Sequence, residues 1–418
     1  MKFLHLADLH LGRLFHEQSL IEDQKYLLNQ LVDILSRDRY SAILLAGDIY
    51  DRSIPSAEAV SLLGDFLNTL HSRFPDTAIC MIAGNHDSPE RLAFGHELFR
   101  SMNIHIVSDP NLSFEPVIVT DGKERCAVFL LPFLYPGSLY SPKESPNSDN
   151  QESGTAPQGL RTQQNLAAEA GRRLEERRKE LAMQSIHQSV LVAHLFTQGG
   201  RESESERIFV GTAEQVDVQL FSGFSYVALG HLHRCQQAGP NAWYAGSPLA
   251  YSFGEAGQEK VCLEVEIPDR ESDQPATVRA IPLKPLHPVR RIKASFADLM
   301  SGNFQTEEKE TQADSLVHSY LEIELTDEHL VENAQRLLEQ RYPLVLSVKQ
   351  DRAFQALVAE RSALQGMLPD TASGETGRRR GTLDDFISFE ETLYGMVDQE
   401  KLDLFATLLK EQQSHETP

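Results

Sequence analysis

Short apolar runs alternate with segments of helical periodicity along the first part of the chain. Residues 3–7, 42–46 and 78–83 are apolar and strand-like. Between them, Tyr26, Leu27, Leu31, Ile34 and Leu35 share one face of a 3.6-residue repeat, and Val60, Leu63, Leu67 and Leu70 share another. Strand, helix, strand, helix, strand predicts a layered α/β domain. The pattern breaks near Tyr135. Residues 136–160 are rich in Pro, Ser, Asn, Gly and Gln, which predicts a mobile loop, and residues 161–184 have the Ala/Glu/Arg/Leu make-up of a charged helix. The whole stretch 136–185 therefore reads as an insertion. Strands resume at 190–195, 226–229, 243–245 and 261–267, so the first domain is expected to span 1–275.

A smaller α+β domain is expected over 276–355. It opens on the proline-rich residues 281–288, which suit a connector or an edge strand. Leu321, Ile323 and Leu325 then alternate with Glu322 and Glu324 as in a half-buried strand, followed by a helix over 330–340 and a strand over 344–348. Residues 356–418 read as a linker and a helical tail. The linker ends in Arg378-Arg379-Arg380, which either touches phosphates or is simply solvated. The tail is apolar at Phe386, Phe389, Leu393, Met396, Val397, Leu404, Leu408 and Leu409. There is no internal repeat.

Composition narrows the class. A chain of 418 residues is longer than one core usually serves, and 41% apolar residues exclude wholesale disorder. No apolar run is long enough to span a membrane, and the N-terminus enters a strand without a cleavable signal. Cys80, Cys126, Cys235 and Cys262 have no paired spacing and point to buried thiols in a reducing, cytoplasmic setting. The net charge of -22 excludes a simple basic nucleic-acid binder.

Chemistry concentrates in five short motifs, each following a strand-like run: Asp8-Leu-His10, Gly47-Asp48-Ile-Tyr-Asp51-Arg52, Gly84-Asn85-His86-Asp87, His194, and Gly230-His231-Leu-His233. Ligands of open α/β sheets bind at the carboxyl ends of strands, so the five are expected on one rim. Carboxylate, amide and imidazole donors without thiolate suit Mn, Fe or Zn better than Ca or a structural zinc. Asp-x-His and His-x-His have the period of a strand, which would aim both members of a pair at one pocket. Asp48 could bridge two ions, roughly 3.5–4 Å apart in sites that activate water and neutralise phosphate. Gly47, Gly84 and Gly230 precede ligands, where positive φ or close backbone approach is expected. Each motif alone is common; a lone histidine such as His5, His71, His96, His105 or His187 is read as structural. The five in order are not coincidental.

That order resembles the calcineurin-like metallophosphoesterase superfamily over roughly residues 1–270. Finer phrasing, in residues 6–12, 47–55, 227–233 and 245–254, is similar to the branch of repair nucleases that pair with a Rad50-like, SMC-like ATPase. The loop His194-Leu-Phe-Thr-Gln-Gly-Gly200 with Ser203, Ser205 and Glu206 is similar too. The resemblance implies a four-layer α/β/β/α domain with two divalent ions, Mn2+ first among them. Asp8, His10, Asp48 and His233 would hold one ion, and Asp48, Asn85, His194 and His231 the other. His86 would face the scissile phosphate as general acid, Asp51 would orient it by hydrogen bonding, and Arg52 would contact phosphate or brace its turn. The small domain would cap the site and help bind DNA, and the tail would grip the ATPase coiled coil or pack on its own domain. A homodimer within a heterotetramer is implied as well.

The resemblance leaves two function classes, and the same metal core serves both. One is a DNA nuclease, with 3′→5′ exonuclease action on duplex ends and endonuclease action on hairpins or single strands. The other is a phosphoprotein phosphatase or cyclic-nucleotide phosphodiesterase. The appended domain and tail favour the nuclease, and the intact motif set argues against a non-catalytic scaffold.

Overall fold

The apolar runs of the sequence become the inner strands of two facing sheets. The computed structural model describes residues 1–139, 162–200, 215–269, 274–302 and 316–351, together with residues 386, 387, 399, 401, 402, 404 and 405. In chain order the strands are β1 (Lys2–Leu6), β2 (Ala42–Leu45), β3 (Ala78–Ile82), β4 (Ile104–Val107), β5 (Val117–Asp121), β6 (Glu124–Leu131), β7 (Gln188–His194), β8 (Tyr226–Gly230), β9 (Gln236–Gly239), β10 (Ala242–Tyr244), β11 (Val261–Glu266) and β12 (Thr277–Pro282). The first sheet has the order β12-β11-β1-β2-β3-β4 and the second β9-β10-β8-β7-β6-β5. Their central strands, β1 to β4 and β6, β7, β8 and β10, run parallel within each sheet. Parallel strands are buried on both faces, which is why they read as unbroken apolar runs.

Helices cover the outer faces. Helices α1 (Ile21–Leu35) and α2 (Ala57–Arg73) bury Leu27, Leu28, Leu31, Leu63, Leu67 and Leu70 against the first sheet. Ser56 caps α2 by accepting from the Ala59 N–H at 3.2 Å. Helix α3 (Gln163–Met183) buries Leu166, Ala167, Ala170, Leu174 and Leu181 against the second sheet. Phe3, Leu44, Val128, Leu130, Val192 and Ala228 fill the space between the sheets. The result is the four-layer α/β/β/α stack.

Three expectations need correction. Tyr26 and Val60 lie in α1 and α2 but are exposed, so the buried stripes rest on their neighbours. The stretch 136–185 is not a simple insertion, because α3 is itself the outer layer of the second sheet. Nor does the first domain end at 275. Strand β12 pairs with β11 from Glu266↔Thr277 to Val261↔Pro282, and as the outermost strand it tolerates Pro282.

The small domain holds a three-stranded parallel sheet, β13 (Val289–Ala294), β14 (Tyr320–Leu325) and β15 (Val345–Lys349), with helices α4 (Phe296–Ser301) and α5 (Ala334–Glu339). Its own core contains Ile292, Leu299, Leu321, Ile323, Leu338 and Val345. Buried Asp23, in the first turn of α1, ties this domain down. It accepts from the His287 N–H at 3.1 Å and from the Tyr320 hydroxyl at 2.8 Å. Residues 357–418 form a separate unit, in which the Phe386 and Phe405 rings stack 4.1 Å apart. Phe389, Leu393, Met396, Val397, Leu408, Leu409 and Arg378 to Arg380 lie outside the described residues. Cys80, Cys126 and Cys262 are buried and free, and Cys235 is half-buried and free. Among the described residues no helix is long and apolar enough to cross a membrane.

Candidate metal centre

The carboxyl ends of β1, β2, β3, β7 and β8 deliver all five motifs to one edge. The loops after β1 and β2 continue as a parallel ladder: the Asp8 N–H donates to the Gly47 carbonyl at 3.0 Å, and the His10 N–H to the Asp48 carbonyl at 2.9 Å. In the second sheet, His194 is the register partner of Gly230. Asp8, His10, Asp48, His194, His231 and His233 are all buried.

Their backbone differs from the strand geometry that the period-two spacing predicts. Asp8 (φ 53°), His10 (φ 44°), Asp48 (φ 48°) and His231 (φ 105°) lie at positive φ, beyond the strand ends. The pairs converge because tight left-handed turns aim them, not because a pleat does. Non-glycine residues adopt this region only when the surroundings over-determine it, and such strain gathers at functional sites. The glycines leave the necessary room. A Cβ on Gly84 would meet Asp48 Oδ1 at 2.1 Å, and one on Gly230 would meet the Ala46 carbonyl oxygen at 1.9 Å.

Two groups of donors face one another. In the first, Nε2 of His10 and Nε2 of His233 are 3.1 Å apart, and His10 Nε2 lies 3.7 Å from Asp48 Oδ2. Ligand atoms of Asp8, His10 and His233 fall within 4.8 Å of one another. In the second, Asn85 Oδ1 lies 3.0 Å from both His194 Nε2 and His231 Nδ1. Asp48 Oδ2 lies 3.5 Å from His194 Nε2, so its carboxylate stands between the groups. The donor set fits a cation: buried imidazole nitrogens and carboxylate and amide oxygens converge with their lone pairs on the same small spaces, His10 Nε2 facing His233 Nε2 and His231 Nδ1 facing Asn85 Oδ1. Hard oxygen and imidazole donors in one buried cluster fit one or more divalent ions.

Electrostatics points the same way. Burial pushes the Asp8 carboxyl up to about 7, despite the pull of His194 and His233. Burial also opposes a charged His194, but the Asp48 carboxylate overcomes it and raises the imidazole to about 9. Burial, with His194 adding to it, drives His231 down to about 3. The His194 Nδ1–H donates to the Ala46 carbonyl at 2.8 Å, so Nε2 carries the extra proton toward Asn85 and Asp48. A cation in the cluster would replace that proton.

His86 sits beside the first group. Its ring meets that of His10 edge-on at 4.8 Å, and a ligand atom of His86 lies within 4.8 Å of those of His10 and Asp48. Its main-chain N–H donates to Asp48 Oδ1 at 2.9 Å. Asp51 does contact His86, through its main chain: the His86 Nδ1–H donates to the Asp51 carbonyl at 2.9 Å. The carboxylate Oδ1 accepts from Arg13 Nη1 at 2.7 Å. Arg52 is largely exposed, with Nε 3.6 Å from Asp51 Oδ2. Ser203, Ser205 and Glu206 lie outside the described residues.

Several supporting roles escape a reading from sequence. Asp87 accepts from the N–H groups of Ile49, Tyr50 and Gly84 at 3.0, 2.8 and 2.9 Å, clasping the loops that carry Asp48 and Asn85 together. Burial pushes its carboxyl up to about 6. Gln24 donates to the His10 carbonyl at 2.7 Å. Glu255 is fully buried, 3.5 Å from His233 Nδ1, and accepts from Lys260 Nζ at 2.6 Å. It follows the Ala245-to-Gly254 motif by one residue, which was its only sequence signal.

Comparison with known proteins gives the family. The profile of the calcineurin-like phosphoesterase family matches residues 1–235. The SbcD component of the SbcCD nuclease of Staphylococcus epidermidis is 31% identical over 351 residues, covering 83% of this chain and 85% of that protein. That of Staphylococcus saprophyticus is 32% identical over 350 residues, covering 83% and 84%. Among solved structures, the NAD nucleotidase of Haemophilus influenzae aligns with 88% of this chain and 60% of its own at 14% identity and a TM-score of 0.34, a likeness too slight to bear on chemistry.

Proposed function

The chain belongs to the SbcD family of SbcCD nuclease components, within the calcineurin-like phosphoesterases, and from that premise we propose that it cuts DNA with two divalent ions, Mn2+ foremost, as 3′→5′ exonuclease on duplex ends and endonuclease on hairpins and single strands. The observation that carries the reading is the convergence of Asp8, His10, Asp48, Asn85, His194, His231 and His233 on one edge, in two groups that share Asp48. Such ions supply water activation and charge neutralisation for in-line displacement at phosphorus.

The protein's own residues do the rest. Asp8, His10, Asp48 and His233 hold one cation; Asp48, Asn85, His194 and His231 hold the other. His86, its Nδ1–H fixed on the Asp51 carbonyl, presents the opposite ring nitrogen to the leaving oxygen and returns a proton to it. Asp51 acts through that carbonyl and, by pairing Arg13, keeps the turn in place. Arg52, exposed beside it, meets an incoming phosphate.

Family and charge together support a reading of the partners. A chain carrying -22 binds duplex weakly by itself at physiological salt. An SbcC-type ATPase of the SMC-like class supplies the main DNA surface, with the nuclease as a homodimer within a heterotetramer. The domain over 289–349 caps the site, and the C-terminal tail docks the ATPase coiled coil. Roles in DNA end processing, repair and recombination follow.

The test is Mn-dependent cleavage of labelled hairpin and duplex-end DNA, run beside a phenyl phosphate ester. DNA cleavage abolished by Asp48→Asn is expected. Robust ester turnover with untouched DNA overturns the nuclease reading in favour of a phosphatase. Nanomolar duplex binding by the isolated chain in 150 mM salt, far tighter than the ~10⁻⁴–10⁻⁶ M of non-specific binders, overturns the assignment of the DNA surface to the partner.

A further inference from the structure

Strand β6 runs out toward the metal centre into Phe133 and Tyr135, which no step above uses. The Phe133 N–H donates to the Ala83 carbonyl at 3.0 Å, tying this segment to the loop that carries Asn85. The Phe133 ring lies nearly parallel to the His231 imidazole, at 6.3 Å and 26°, and edge-on to His194 at 6.2 Å. Tyr135 stands edge-on to Phe133, with centroids 4.8 Å apart at 72°. Its hydroxyl donates to the main-chain carbonyl of Asn85 at 3.0 Å. The ring is thus held by its hydroxyl and by an edge-on contact, yet 38% of the residue remains in solvent.

Exposed apolar surface is unfavourable unless something covers it, and a rigid ring loses little entropy when covered. We infer that Tyr135, backed by Phe133, is a stacking shelf for the nucleobase next to the scissile phosphate. The inference rests on the nuclease reading and deepens it. A phosphate at the metal centre brings its flanking nucleoside to the rim where Tyr135 stands. A base inside a duplex is stacked on both faces and has none to offer, whereas an end, a hairpin loop or a single strand has one. The shelf therefore selects unpaired or frayed nucleotides without reading their identity, since every base has a π face.

The test is a chemical double-mutant cycle on the full chain with a single-stranded oligonucleotide of mapped cleavage position. Tyr135→Ala is expected to raise KM for DNA about tenfold. An abasic nucleotide beside the scissile phosphate should cost the wild type a similar factor and cost Tyr135→Ala almost nothing more. Tyr135→Phe, which keeps the ring and loses the bond to Asn85, should stay near wild type. Binding alone supplies a second readout: 2-aminopurine at the flanking position should be quenched by wild type and Tyr135→Phe, but not by Tyr135→Ala. Additive losses, unquenched 2-aminopurine on wild type, or Tyr135→Phe as impaired as Tyr135→Ala each overturn the shelf, the last by making Tyr135 a brace for Asn85. Wild type that cleaves no DNA fails the nuclease reading itself; wild type that cleaves base-bearing and abasic sites alike fails the shelf alone.

Discussion

The Nδ1–H of His194, at the end of a strand in the second sheet, donates to the main-chain carbonyl of Ala46 in the first, 2.8 Å away. That bond spans the two sheets at the metal edge, and it forms only because Gly47 and Gly230 carry no side chain there. A Cβ on Gly47 would meet His194 Nδ1 at 2.3 Å, and one on Gly230 would meet the Ala46 oxygen at 1.9 Å. Gly230→Ala should therefore push the sheet edges apart and misplace His194. Expected are a loss of about 1–3 kcal/mol in denaturant unfolding, the usual range for overpacking, and fewer than two bound metals by elemental analysis. Wild-type stability and metal content in that variant would contradict the packing argument.

Glu255 should govern the affinity of one ion without touching it. A carboxylate behind a metal-bound histidine fixes the ring and raises its basicity, and removing such a partner costs about 10–100-fold in metal affinity. Glu255→Gln keeps the shape and the contact with His233 but removes the charge that also neutralises Lys260. Metal titration of the stripped variant should show one ion weakened in that range and the other near wild type.

Metal loading should be proton-linked. In the metal-free protein burial raises Asp8 to about 7, and Asp48 outweighs burial to raise His194 to about 9. Both must lose their protons to bind a cation, so loading at pH 7 releases protons and apparent affinity climbs as pH rises from 6 to 9. Both folded-state pKa values lie above the unfolded ones. Their contribution to the stability of the stripped protein is thus complete below the ordinary pKa and fades as pH rises through about 7 for Asp8 and about 9 for His194. The gap in melting temperature between loaded and stripped protein should widen across that interval. Titration calorimetry in buffers of different ionisation enthalpy measures the proton count directly.

Glu255 should give an opposite signature in acid. Burial alone would raise its carboxyl, but Lys260 and His233 hold it well below the usual carboxylate range. Its stabilising contribution is present above the ordinary value near 4.5 and declines as pH falls through the lower folded-state pKa. Acid unfolding of Glu255→Gln should accordingly be flatter than that of wild type below pH 4.5.

How much of this was legible in the sequence depends on range. The buried parallel strands announced themselves, because both of their faces are apolar, and the five motifs stood where those strands end. The placement of Asp8, His10 and Asp48 at positive φ was not legible, because a period of two looks the same in a strand and in a left-handed turn. Helix α3 hid its role because Arg172, Arg173, Arg177 and Arg178 pair with nearby glutamates along its surface, so a helix that covers a sheet read as a charged spacer. Asp87 stands in one of the motifs and Glu255 beside another, but the bonds through which they act, to distant backbone and to His233, leave no local pattern.

His86 offers the sharpest test of the division of labour at the site. Geometry alone admits two roles, since a ligand atom of His86 lies within 4.8 Å of those of His10 and Asp48, close enough to join a metal group. Its Nδ1–H is committed to the Asp51 carbonyl, and its main-chain N–H already serves Asp48 Oδ1. A proton donor to the leaving oxygen works through the opposite ring nitrogen. If that is its task, His86→Ala keeps both ions and loses about 10²–10⁴-fold in turnover, the usual worth of general acid–base catalysis. An ester with a good leaving group, which needs no protonation, should then be hydrolysed with a much smaller loss than DNA. If His86 is instead a ligand, the same variant loses metal, and the two substrates decline together. Elemental analysis and the ratio of the two rates separate the cases.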